Sequence, residues 1–332
     1  MRRADQPGAA RCSRDIATPM NNSKLVTLFG GGGFVGRALA QALFARGWRV
    51  RIAQRDPTAA YVVKPLGGLG QSQFVAADIT RPDSVARAVA GADAVVNLVG
   101  VLKGNFEAVH VAGARNVAAA SAAAAVGALV HMSAIGADAD SPSAYGRTKA
   151  AGEVAVRAAF PAATIMRPSI IFGRDDQFTN RFAALIRATP VVPIIAGETK
   201  LQPVFVGDVA NAMADAVTDH AAHAGKTCTL AGPDILSMAN INHWLAEMIG
   251  RHPTFVPVPD SIARLLATLT GWAPGAPITR DQLAMLARDN VADPALPGLA
   301  AFGIQPTPMD AVAPAWLTAY RKHGRFGDQA RT

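Results

Sequence analysis

Tyr145 and Lys149 are the pair best placed by type and spacing to do chemistry. They lie in Ser143-Ala-Tyr145-Gly-Arg-Thr-Lys149-Ala-Ala-Gly-Glu153, a segment that starts a helix, and four-residue spacing puts them on one face. An ammonium beside a phenol favours phenolate and lowers its pKa. Such a tyrosine can exchange a proton with a carbonyl or carbinol oxygen while a nicotinamide exchanges hydride. The lysine can also bind the nicotinamide ribose hydroxyls. Tyr-x-x-x-Lys is frequent by chance, so its meaning depends on the residues upstream.

Upstream, the apolar run Leu25-Val-Thr-Leu-Phe enters Gly30-Gly-Gly-Gly33-Phe34-Val35-Gly36-Arg37, which opens into a segment of helical spacing stopped by Gly47. Strand, glycine turn and helix N-terminus in that order form a site for a dinucleotide pyrophosphate. Gly30 permits the turn, Gly33 lets backbone approach phosphate, and Gly36 lets the helix pack close to the strand. The N–H groups of the first helical turn, Phe34 and Val35 among them, face the anion. The spacing is Gly-x-x-Gly-x-x-Gly rather than Gly-x-Gly-x-x-Gly. A second strand, Arg49 to Arg55, ends where the adenosine ribose is read. An acid there would favour NAD, but Gln54 and Arg55 occupy the position and Arg37 follows the third glycine. Two guanidinium groups suit a 2′-phosphate, so the expected cofactor is NADPH (NADP) in preference to NAD.

Strands are expected at 25–30, 49–55, 73–79, 94–100, 128–134 and 163–167, with helices at 34–46, 82–90, 106–126 and 143–160. Apolar strands alternating with amphipathic helices predict an α/β fold, a Rossmann-type doubly wound parallel sheet covered on both faces. Ligands of such sheets bind beyond the strand C-termini. There Asp78 can meet adenine while serving equally as a turn residue before Thr80, and Asn97-Leu98-Val99-Gly100 lies beside the nucleotide path. Past residue 170, prolines at 190, 193, 203, 233, 253, 257 and 259 separate short elements, the mark of a smaller C-terminal α/β lobe closing over the cleft. Within it, 202–209 reads as a strand running into a helix capped by Asp208, and 237–249 as a helix capped by Ser237. The expected organisation is a basic tail or mis-assigned start over 1–23 (Met20 being another possible start), an NADP-binding domain over 24–175 with later strands from 200–232, and the smaller lobe over 176–326.

The 332 residues are 50% hydrophobic and 17% charged, enough for a large core. Cys12 and Cys228 are far apart and have no metal-like neighbours, so neither a disulfide framework nor a metal site is expected. His220-x-x-His223 lacks a third ligand and reads as solvated. The net charge of +8 is scattered, with aromatics at only 6%, which favours an anionic membrane face, an acidic protein partner or simple solubility over nucleic acid. The N-terminus has no apolar signal core, and the Ala-rich run 117–137 is broken by Gly127. In Ser261 to Thr270, Ile262, Leu265, Leu266 and Leu269 share a stripe, most simply facing the core and alternatively docking on a membrane surface or membrane subunit.

Taken together, Gly30-x-x-Gly33-x-x-Gly36, Asp78-Ile79, Asn97 to Gly100, Tyr145-x-x-x-Lys149 and Arg167-Pro168-Ser169-Ile170-Ile-Phe-Gly173 resemble the short-chain dehydrogenase/reductase superfamily, in its extended or atypical branch. The resemblance implies that Tyr145 is the acid/base and Lys149 its modulator, and that the segment of Arg167, Pro168 and Ile170 runs past the nicotinamide. Two positions depart from the pattern. The family's catalytic serine is the second of a Ser-Ser pair, here Ser133-Ala134, and adjacent strand residues face opposite ways, so Ser133 cannot be assumed to replace it. An asparagine favoured on the fourth helix is replaced by Val109-His110-Val111, with His110 read as a hydrogen-bonded packing residue.

Phe106 to Val111, Ile135 to Asp138 through Ser141 to Tyr145, Asp281 to Val291, Phe302 to Thr307, Tyr320-Arg321 and Gly324 to Phe326 are similar to the nucleotide-binding accessory subunit family of respiratory complex I. That resemblance implies NADPH held structurally. It also implies partners among complex I subunits at the junction of membrane and peripheral arms, and a place on the cytoplasmic side of the inner membrane. A soluble NADP-dependent reductase, epimerase or dehydratase working through Tyr145, Lys149 and Ser133 stands as the alternative.

Overall fold

A computed structural model describes residues 23–271, 278–322 and 324. The expectations for the basic tail, Met20 and Cys12, and for Arg325-Phe326, fall outside the described residues. The chain runs β1 (Leu25–Phe29), α1 (Phe34–Ala45), β2 (Arg49–Gln54), β3 (Ser72–Ala76), α2 (Pro82–Val89), β4 (Ala94–Asn97), α3 (Ala114–Ala123), β5 (Ala128–Met132), α4 (Ala144–Ala159), β6 (Thr164–Pro168) and β7 (Ile171–Phe172). It continues through α5 (Thr179–Ala188), β8 (Val191–Ile194), β9 (Lys200–Leu201), β10 (Val204–Phe205), α6 (Val206–Thr218), α7 (His220–His223), β11 (Thr227–Leu230), β12 (Leu236–Ser237), α8 (Met238–Met248), β13 (Thr254–Pro257), α9 (Asp260–Thr270), α10 (Arg280–Leu286), α11 (Met309–Val312) and α12 (Pro314–Leu317).

Seven parallel strands in the order β11-β6-β5-β4-β1-β2-β3 form the central sheet. Every residue of β1 is buried, as a strand covered on both faces must be, and the Thr27 hydroxyl is satisfied by donating to the Ala88 carbonyl. One face packs α1 and α6 through Leu39, Leu43, Val209 and Met213, and the other packs α2, α3 and α4 through Val85, Val117 and Val156. Burial of Leu39 and Leu43, both fully covered, stabilises by roughly 1.5–3 kcal/mol each. Gly47, at φ +79°, ends α1 in the left-handed conformation that glycine accepts without strain. A separate core around Ile186, Val192, Leu245 and Leu317 organises the C-terminal lobe with the pairs β9–β12 and β8–β13, whereas the β7–β10 pair packs on the central-sheet core through Ile171 and Val204.

Four expectations change, one of them at His223, which reads as solvated in the sequence but is buried and stacked on Phe302. The helix expected over 106–126 is two pieces: a π-helical turn at Glu107–Gly113, then α3. Asp208 does not cap α6; that helix begins at Val206, and the Asp208 carboxylate accepts from the Thr307 N–H (2.7 Å) and hydroxyl (3.0 Å), pinning the C-terminal segment. The stripe on α9 does not face the core. Ile262, Leu265 and Leu269 are 49%, 57% and 61% exposed, and the packed side is Ala263 and Ala267. Periodicity locates a stripe but not which side a neighbour covers. Ser237 does cap α8, accepting from the Asn240 N–H. No helix among the described residues is long and apolar enough to cross a membrane.

Candidate functional site

The glycine turn sits at the C-terminal edge of β1 and is built by close approach. Gly30 has φ +78°. A Cβ on Gly36 would lie 2.5 Å from both the Cα and the carbonyl oxygen of Gly31, so only glycine lets α1 come this near the turn. Gly32 is equally crowded, and its N–H donates to Gln54 Oε1 at 3.2 Å, tying the turn to the end of β2. Gly33 is exposed and starts α1, which has neither a side-chain cap nor an acid in its first turn. Among the described residues no side chain caps the leading N–H groups of α1, at Phe34 and Val35. An uncapped helix start behind a glycine cradle fits a dinucleotide pyrophosphate.

The flanking residues line up along the strand ends. Asn97 is buried; its Oδ1 accepts from the Val99 N–H at 3.1 Å and its Nδ2 donates to His131 Nδ1 at 3.2 Å. Leu98 and Val99 pass directly over Gly30, and Gly100 leaves the space that Lys149 Nζ occupies, 3.3 Å from where a Cβ would be. Arg55 is exposed just past β2. The Asp78 carboxylate accepts from the Thr80 N–H and hydroxyl, which, with weaker help from Arg55 and Arg81, holds its pKa below the usual range; Ile79 is buried beside Gly113. Arg37 does not point freely at the ribose position but pairs with Asp175 at 3.2 Å. Arg167 is likewise engaged, donating to both oxygens of Glu153 on α4 at 2.8 and 2.7 Å. Pro168 accepts from the Ile135 N–H, and Ile170 packs with the C-terminal core.

The Tyr145–Lys149 face is assembled as expected, but its electrostatics are not. Lys149 Nζ donates to the Met132 carbonyl at 3.0 Å and lies 5.9 Å from the Tyr145 ring centre. Burial pushes the phenol up to about 12, so the expected lowering by the lysine does not occur. Burial lowers Lys149 to about 8, partly opposed by Glu153. Ser133 is buried with its hydroxyl unpartnered among the described residues, as is Nε2 of His131. His110 accepts from the Val101 N–H through Nε2, which places its proton on Nδ1, facing the Thr148 hydroxyl at 3.0 Å. Burial lowers His110 to about 4 and His131 to about 3, so both rings are neutral at neutral pH.

The Lys149 shift carries a pH signature. Between about pH 8 and the ordinary 10.5 the unfolded chain holds a proton that the folded chain has released. The cost of burying that charge is present in full below about pH 8 and relieved above it, so stability rises through this window by at most roughly 3 kcal/mol. Thermal melts of the wild type and Lys149→Met should diverge below pH 8, the variant being relatively more stable there, and converge toward pH 10; parallel profiles would contradict the shift.

Sequence reasoning missed several partners: Gln54 on Gly32, Asp175 on Arg37, Glu153 on Arg167, and Asp281. The Asp281 carboxylate, from α10, accepts from Ser143 Oγ, the Ala144 N–H and the Tyr145 N–H. No local pattern announces a partner 136 residues away. A cavity of about 830 Å³ in the C-terminal lobe, bordered by Ile194, Pro257, Arg264 and Leu283, includes none of the glycine-turn residues.

A family model described as the NAD dependent epimerase/dehydratase family matches residues 26–231. The chain is 35% identical over 312 residues to NADH dehydrogenase (ubiquinone) 1 alpha subcomplex subunit 9, mitochondrial, of Mus musculus, covering 91% of this chain and 81% of that protein. It is 36% identical over 192 residues to the Ceramide reductase of Caulobacter vibrioides, covering 56% of this chain and 58% of that one. Among solved structures, the Citrobacter sp. triphenylmethane reductase complexed with NADP(H) superposes with a TM-score of 0.71 at 18% identity, over 88% of this chain and 99% of that one.

Proposed function

The chain belongs to the NAD dependent epimerase/dehydratase family, and on that premise we propose that it holds NADPH as an accessory, stabilising subunit of respiratory NADH:ubiquinone oxidoreductase. The observation that carries this reading is a contrast. The anion end of the cleft is prepared, with α1 uncapped behind its glycines, while the proton-transfer end is not. Lys149 is bound to a backbone carbonyl, the Tyr145 phenol is pushed away from ionisation, and Ala134 stands where the family has its serine. The similarity to the mouse complex I subunit along 91% of the chain supports the same assignment.

In this reading Phe34 and Val35 offer N–H groups to the pyrophosphate, and Arg55 takes the 2′-phosphate with Arg37, which leaves Asp175 to do so. Asp78 and Ile79 border the adenine, Asn97 to Gly100 line the path, and Lys149 holds the ribose at the nicotinamide end. A bound nicotinamide supplies hydride chemistry. Holding it far above its dissociation constant adds several kcal/mol to the fold. The subunit sits at the junction of the membrane and peripheral arms, on the cytoplasmic side of the inner membrane. There the exposed stripe of α9, flanked by Arg264, meets an anionic membrane surface.

The test is co-sedimentation of the full chain with membrane complex I, with NADPH retained, and respiration nearly unchanged by Tyr145→Phe. The similarity to a ceramide reductase favours a second reading, a reductase using Tyr145 and Lys149. Free exchange of cofactor and loss of turnover in Tyr145→Phe would establish that reading instead. Arg55→Asp removes one charge-assisted contact and adds repulsion, so NADPH affinity should fall about 10- to 100-fold with NADH affinity little changed; equal affinity for NADPH would remove Arg55 from the site.

A further inference from the structure

Two helix starts border the cleft, and the protein treats them oppositely. The start of α1 is left open. That of α4 is closed by a carboxylate from the other lobe: Asp281 accepts from Ser143 Oγ at 2.9 Å, from the Ala144 N–H at 2.6 Å and from the Tyr145 N–H at 3.2 Å. Ser143 Oγ then accepts from the Gly146 N–H at 3.3 Å. The leading N–H groups of α4 are thus all satisfied, although its first turn has no acid of its own. The charge lies where the helix dipole favours it.

The segment that delivers Asp281 is held largely by polar contacts. No residue of α10 is fully buried. Arg288 pairs with Asp138 at 2.6 Å, and Asn290 Oδ1 accepts from the Ser169 hydroxyl at 2.6 Å. Residues 281–290 therefore strap the C-terminal lobe onto the loop after β5, the start of α4 and the end of β6, all of which border the expected nicotinamide end.

We infer that Asp281 is a positioning residue for the nucleotide site. It fixes the first turn of α4 and thereby the placement of Lys149, one turn further along, at the nicotinamide ribose. This rests on the nucleotide reading above. It predicts a selective defect, because the adenine end is held by the glycine turn and Arg55, which Asp281 does not touch.

The experiment titrates the full-length chain with NADPH and, separately, with adenosine 2′,5′-bisphosphate, which lacks the nicotinamide half. Asp281→Ala should bind NADPH about 10-fold more weakly and blunt the nicotinamide fluorescence change, while the bisphosphate binds as in the wild type. Asp281→Asn keeps one acceptor and should recover most of the affinity, leaving a selective loss of about 3-fold. It carries the test if the alanine variant does not fold. A folded variant that binds NADPH like the wild type, or that loses both ligands equally, overturns the inference. A wild-type chain that binds neither overturns the nucleotide reading itself, and this inference with it.

Discussion

Gly36→Ala should lower NADPH affinity about 100-fold and also lower the melting temperature, because the added methyl costs roughly 3 kcal/mol or more against rigid backbone. Its Cβ would stand 2.5 Å from the Gly31 Cα and carbonyl oxygen, neither of which can swing aside like a side chain. Relief requires α1 to back away from the turn, which carries the leading N–H groups away from the pyrophosphate. Gly33→Ala is the control. Its Cβ meets only the Gly30 carbonyl oxygen, at 3.2 Å, on the exposed side of the turn. It should weaken NADPH binding while leaving the apo-protein melting temperature nearly unchanged. Calorimetry and differential scanning of both variants check the pair, and a Gly36→Ala protein that melts and binds like the wild type would remove close helix approach from the account.

Glu153→Ala should destabilise the fold by about 3 kcal/mol, since it leaves the half-buried Arg167 guanidinium without its bidentate partner. Glu153 is also the group that opposes the burial shift of Lys149, so its removal lowers the lysine pKa further. Two readouts follow: a melting temperature lower by several degrees, and a Lys149-dependent pH profile whose midpoint moves below about 8. Glu153→Gln keeps an acceptor and should lose less stability while moving the midpoint in the same direction. An unchanged midpoint in both variants would separate Glu153 from the lysine.

The readable parts of this chain are those whose physics is local. The turn between β1 and α1 announces itself because left-handed backbone at Gly30 and close approach at Gly36 both need glycine within a few residues. Tyr145 and Lys149 share a face because helix geometry makes residues four apart neighbours. What stayed hidden depends on distant partners. The pKa of Tyr145 follows from burial by surrounding elements, not from the lysine one turn away. Asp208 looked like a cap because its sequence context fits one, yet α6 starts two residues earlier and the carboxylate serves Thr307. The stripe on α9 was visible as a stripe, but its exposure follows from Ala263 and Ala267 making the packed side. Asp281 opens a segment of the family resemblance, but nothing around it announces the helix start it closes in the other lobe.

The central claim is that an uncapped helix start behind a glycine turn holds a phosphorylated nicotinamide dinucleotide. Its most direct test is to purify the full chain without added cofactor, denature it and identify what is released. NADPH or NADP at about one per chain is the predicted result, and a polypeptide that releases only NAD, or nothing and shows no thermal shift with added NADPH, contradicts it.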